Sequence, residues 1–182
     1  MERFVVLLRG INVSASTRIA MADLRDLLGE AGFAEVRTHL QSGNVLVRAT
    51  GKPEAVAEKV SAAIAKRLEM EIDVVVRTAA ELRRVIRTDP FGTIATDGSK
   101  YFVTFFSEPH DPEAVSRMVA SIADTDERVH AAGREVYLWC PDGIRNSALA
   151  KATMGKQPAG LVATVRNWNT VTRLMTMVDD PS

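Results

Sequence analysis

The chain has 182 residues, of which 46% are hydrophobic and 25% charged, the composition of a folded globular protein rather than a disordered segment. Its 23 basic and 23 acidic residues balance, so it lacks the basic excess that accompanies non-specific nucleic-acid binding. A single cysteine, Cys140, excludes an intramolecular disulfide and every paired-cysteine zinc motif.

No apolar run reaches the roughly 20 residues that span a bilayer. Residues 4–8 form an apolar run too short for a signal-peptide core and are followed at once by Arg9 and Gly10, so a cytoplasmic location without membrane contact is expected. That run, FVVLL, has strand length and no polar alternation, which predicts a strand buried on both faces. Met21, Leu24, Leu27 and Leu28 then recur at helical spacing with Asp23, Arg25 and Asp26 opposite, and Gly32 stops the helix. Residues 36–40 and 44–49 are short apolar or β-branched segments separated by QSG, a hairpin signal.

After Gly51 and Pro53, the four-residue spacing of Val56, Val60, Ile64 and Leu68 predicts a long helix with one core stripe. A strand is expected over 72–77. Residues 79–87 read as a short connecting helix with Leu82, Val85 and Ile86 on one face, ended by the breaker DPFG. The second half repeats the order. Residues 101–106 (YFVTFF) predict a strand, and Val115, Met118, Val119 and Ile122 a helix opened by Asp111 and Pro112. A hairpin turning at Ala132 and Gly133 follows, then a helix over 146–154, a strand over 161–165 and a helix over 170–178.

Two successive βαββαβ patterns predict an α+β fold of two ferredoxin-like units side by side, with helices packed on antiparallel-dominated sheets. The first unit spans 1–78, a connecting helix and loop 79–99, and the second unit with its C-terminal helix 100–182. A single larger mixed sheet with helices on one face is the competing layout.

In a ferredoxin-like unit the end of the first strand and the hairpin between the second and third share one edge of the sheet. Two glycine-bearing stretches, LLRGINV and LQSGNVLV, are thereby expected to meet. Arg9, Gly10, Asn12, Gln41, Ser42, Gly43 and Asn44 form the candidate ligand-binding set: an Arg fork with amide and hydroxyl groups and backbone N–H groups at glycines suits an anionic or amide-bearing ligand. Side chains of these types do not titrate near neutrality, so the set is poorly equipped for acid–base work. A third polar cluster, Arg166, Asn167, Trp168 and Asn169, is placed between the last strand and the last helix. Asn167 or Asn169 reads as a helix N-cap, Trp168 as a core plug, and the helix N-terminus beside Arg166 as an alternative anion site.

These clusters carry a resemblance. LLRGINV, MADLRDLLGEAGF, QSGNVLV, VVVRTAAEL, DPFG, VYLWCPDGI and ATVRNWNTVTRL fall in the order found in the bacterial family catalogued as domain of unknown function 1697, and QSGNV with RNWNTV is the specific part. The resemblance implies a two-unit ferredoxin-like α+β fold and brings no established reaction, cofactor or partner. Family members often carry a glycine pair where this chain has Ser14 and Ala15, and Ser-Lys-Leu where it has Ser147, Ala148 and Leu149.

Motifs of known chemistry are missing. Gly51 and Lys52 precede Pro53 and make no phosphate-binding loop; His39, His110 and His130 lack metal-ligand spacing; Ser42 sits in QSGNV without the GxSxG elbow, and His39 falls on the opposite strand face. No cofactor or metal is implied. The leading expectation is a protein binding a small anionic, nucleotide-like ligand at the glycine-rich edge, with enzymatic activity left open. Alternatives are a nucleic-acid-binding module stacking bases on Tyr137 and Trp139, despite the balanced charge, and a non-catalytic scaffold or interaction protein. Oligomeric state is not legible.

Overall fold

The computed structural model describes residues 1–109, 111, 113, 126–155 and 158–180. The chain forms two four-stranded sheets, each antiparallel throughout, so the single-sheet layout is excluded. The two compact units are Met1–Arg84 with Leu174–Ser182, and Val85–Arg173. No helix among the described residues is long and apolar enough to cross a membrane.

In the first unit β1 (Glu2–Leu8) leads through α1 (Met21–Glu30) to the hairpin β2 (Ala34–His39) and β3 (Asn44–Ala49), then through α2 (Pro53–Leu68) to β4 (Val74–Thr78), which runs directly into α3 (Ala79–Thr88). The order β2-β3-β1-β4 puts β1 between two antiparallel partners, as the ferredoxin-like pattern requires. Phe4, Val6 and Leu8 face the helices and join Val45, Val47, Val74 and Val76 in a core closed by Leu24, Leu27 and Leu28 of α1 and Val56, Val60 and Ile64 of α2. Val5, Leu7, Leu46 and Val75 point to the opposite face and are equally buried. Helix α1 stops as its sequence says: Gly32 takes φ +85°, its N–H reaches the Gly29 carbonyl, and the Phe33 N–H reaches that of Leu28.

The second unit repeats the order with β5 (Tyr101–Phe106), β6 (Arg128–Ala132), β7 (Glu135–Trp139), α4 (Ala148–Met154), β8 (Ala163–Asn167) and α5 (Trp168–Asp179), and its strands lie β6-β7-β5-β8. The helix expected around 115–122 falls outside the described residues. Phe102, Phe106, Val136, Leu138, Cys140, Leu149, Ala150 and Ala163 build the helix-side core. All six residues of β5 are buried, so both of its faces are covered.

Strand ends differ from expectation where pairing decides them. The last strand extends to Asn167 because the ladder with β5 continues through Val103↔Arg166 and Phe102↔Asn167. Arg166 and Asn167 therefore lie in a strand, not in a connecting loop, and α5 begins at Trp168. The fourth strand starts at Val74, two residues late, since the Ile72 carbonyl is taken by the Ser61 hydroxyl of α2 at 2.6 Å.

Ile64 is fully buried in the first core. Ile64→Ala is expected to lower the unfolding free energy by about 2–5 kcal/mol, read from the urea midpoint at unchanged m-value.

Candidate functional site

The two glycine stretches meet at one edge of the first sheet. The Leu8 N–H donates to the Gly43 carbonyl at 2.8 Å, closing the end of β1 against the hairpin turn. Gly43 has φ +80°, and a Cβ there would stand 2.8 Å from Leu8 Cβ and 3.0 Å from two Ile11 side-chain carbons. Both the turn and the close approach demand glycine.

Asn12 is the hub of this edge. Its Nδ2 donates to the carbonyls of Gln41 at 2.7 Å and Ile19 at 3.1 Å, and its Oδ1 accepts from the Ile19 N–H at 2.8 Å. The backbone assists: Asn12 sits at φ +57°, which Asn tolerates, and its own N–H donates to the Thr17 carbonyl. The segment between is a short 3-10 turn, Ala15–Thr17, preceded by Ser14, whose N–H and hydroxyl both meet the Thr17 hydroxyl. One side-chain amide thus ties the loop after β1 to the β2–β3 turn.

Asn44 is wholly buried, and its Nδ2 donates to the His39 carbonyl at 2.9 Å and to Ser42 Oγ at 3.0 Å. Although the sequence offers Asn44 as a ligand donor, its place is inside the turn it builds. Arg9, Gly10, Gln41 and Ser42 remain exposed on the edge. Arg9 Nη1 lies 3.0 Å from Asp73 Oδ2, with the two side chains 48% and 51% exposed, and the Arg9 N–H donates to the Asp73 carbonyl. Asp73 escapes sequence reading because its position depends on β4 lying beside β1. Arg18 is also exposed, and its neighbour Ile19 bonds to Asn12.

The third cluster belongs to the second unit, and the fold uses most of it. Arg166 is buried in β8, and its Nη1 donates to Thr164 Oγ1 at 2.8 Å and to the Val165 carbonyl at 2.7 Å. Burial pushes its guanidinium down to about 10, which leaves it charged at neutral pH. Asn167 Oδ1 accepts from the Thr170 N–H at 2.9 Å and caps α5. Trp168 stacks on Tyr101 with ring centroids 4.6 Å apart and planes 16° apart, and its N–H donates to the Gly98 carbonyl. Asn169 is exposed, with Oδ1 where a side chain at Gly98 would stand.

Tyr137, offered with Trp139 as a base-stacking pair, is 1% exposed and donates its hydroxyl to the Val85 carbonyl at 3.1 Å, so the fold already occupies that ring. Ser147 accepts from the Ala150 N–H and caps α4. Among the described residues, no group of three His, Cys, Asp or Glu side chains is arranged to hold a metal ion.

A family model described as "Protein of unknown function (DUF1697)" matches residues 1–137. No curated protein matches the sequence. Among solved structures, a conserved bacterial protein from Streptococcus pneumoniae is similar over 99% of both chains, with a TM-score of 0.77 at 22% identity. At that identity the likeness speaks for the fold.

The amides of Asn12 and Asn44 hold the turns, so Asn12→Ala and Asn44→Ala are each expected to cost about 1–3 kcal/mol in a urea titration, since carbonyls are left unpaired. Gly43→Ala should cost more than about 1 kcal/mol from its positive φ alone. Losses below about 0.5 kcal/mol would mean that the amides carry no structural role.

Proposed function

The chain belongs to this family of uncharacterised proteins, and we propose that its first unit binds a small anionic ligand at the edge presented by Arg9, Gly10, Gln41 and Ser42. What carries the reading is the Asn12 side chain, whose three hydrogen bonds fix both loops and so hold the exposed polar groups in place before any ligand arrives. Arg9 supplies the guanidinium fork, and glycine at position 10, with φ +69° and open space around its Cα, lets a ligand approach the backbone.

The Arg9–Asp73 pair competes with such a ligand, but it is a weak competitor. An ion pair half exposed on both sides contributes about 0–1 kcal/mol. An incoming phosphate or carboxylate can therefore displace Asp73 at small cost. The edge offers donors and a charge, and the reading is of binding.

The test is a thermal-shift panel of nucleotides, sugar phosphates and small carboxylates against the full chain, followed by calorimetry on any hit. Ligand at a hundred times its Kd should add about 2.7 kcal/mol of stability. Arg9→Ala should abolish the shift while leaving the melting temperature of the free protein within about 2 °C, and Asp73→Asn should tighten binding by removing the competitor. Silence across the panel, or a hit unaffected by either substitution, refutes the reading.

A further inference from the structure

The edge around Asn12 exposes two aliphatic side chains that the fold does not use. Val13 is 79% exposed and Leu40 58%. They adjoin the two residues joined by the 2.7 Å bond from Asn12 Nδ2 to the Gln41 carbonyl, so both stand on the edge that presents Arg9. Leu40 also has φ +59°, a left-handed conformation that glycine and asparagine fill readily and a leucine does not. Leucine is thus an expensive choice for this turn in backbone strain.

The charges that the two loops themselves carry have one sign. Residues 9–19 and 40–43 contribute Arg9 and Arg18 and no carboxylate. The backbone next to Arg18 is tied to the same hub through the Ile19 N–H to Asn12 Oδ1 bond, and the acid paired with Arg9, Asp73, comes from the approach to β4. Two fixed loops therefore present the half-exposed Arg9 guanidinium together with uncovered aliphatic groups. A ligand complementary to both carries its anionic head next to an apolar body.

We infer that this edge takes a phosphate monoester with an apolar or aromatic ester group, the phosphate on Arg9 and the ester group against Leu40 and Val13. The inference rests on the anion reading above and narrows it to a class that includes nucleoside monophosphates and excludes free phosphate as the preferred ligand. Apolar contact supplies the selectivity, since an Arg fork alone treats phosphate and its esters alike.

Calorimetric titration of the full chain with inorganic phosphate and with phenyl phosphate tests it. The native protein should bind phenyl phosphate about tenfold more tightly than inorganic phosphate, the difference expected from covering one aliphatic side chain. Leu40→Asn and Val13→Ser should each remove part of that preference and together most of it, the loss falling on phenyl phosphate. Leu40→Asn should also melt at or above the native temperature, because asparagine suits the turn. Equal affinity for the two ligands overturns the apolar contact while leaving the anion reading standing, and absence of binding by either overturns the phosphate-monoester assignment, the anion reading being decided by the full panel above. Binding to phosphatidylserine vesicles without binding to phenyl phosphate assigns the edge to a lipid surface and overturns the proposal. So does a Leu40→Asn protein that melts below the native one, since Leu40 would then serve the fold.

Discussion

Strand β1 has no face turned to water: residues 4–8 are at most 1% exposed, and both neighbours are antiparallel partners. A strand in that position must hydrogen-bond on both sides and pack above and below, so it fixes the sheet order, the direction of α1 and the covered second face together. It also dictates where the chain next meets solvent. That point is Arg9, and the β2–β3 turn and the approach to β4 arrive there because both partners run antiparallel. The polar edge is the outlet of a buried strand, and its location follows from the pairing.

The two units share a second device at the strand that enters a helix without a linker. In the first, Thr78 and Glu81 cap α3 reciprocally: Thr78 Oγ1 accepts from the Glu81 N–H, and Glu81 Oε2 accepts from the Thr78 N–H at 2.8 Å. In the second, Asn167 performs the capping alone. Each cap follows a buried arginine whose Nη1 donates to the carbonyl of the preceding valine, Arg77 to Val76 and Arg166 to Val165. Identity between the halves is slight, yet the order of valine, buried arginine and cap recurs. A buried guanidinium is costly unless hydrogen-bonded, which ties these arginines to the strand geometry that satisfies them.

Periodicity made much of the fold legible. The stripe of Val56, Val60 and Ile64 and the unbroken run FVVLL state their burial directly, because apolar spacing records which face meets a core. Strand ends were less legible: Arg166 and Asn167 look like loop residues in isolation, and only the ladder to β5 makes them strand. The candidate edge was legible as a meeting of two segments but not in its division of labour. Asn12 and Asn44 offer the same amide chemistry in sequence as Gln41, and only the folded backbone shows that the first two are consumed by carbonyls within reach. Asp73 and Leu40 were invisible for opposite reasons, one depending on strand order and the other on a backbone angle.

Cys140 stands apart from all of this. It is the chain's one thiol, fully buried in the second unit's core, where burial pushes its ionisation upward. A thiol in that position is shielded from modifying reagents while the core stays closed. The rate at which a reagent consumes it therefore counts the openings of that unit under native conditions, with no engineered probe and no interfering cysteine. The molecule carries its own clock for the second unit.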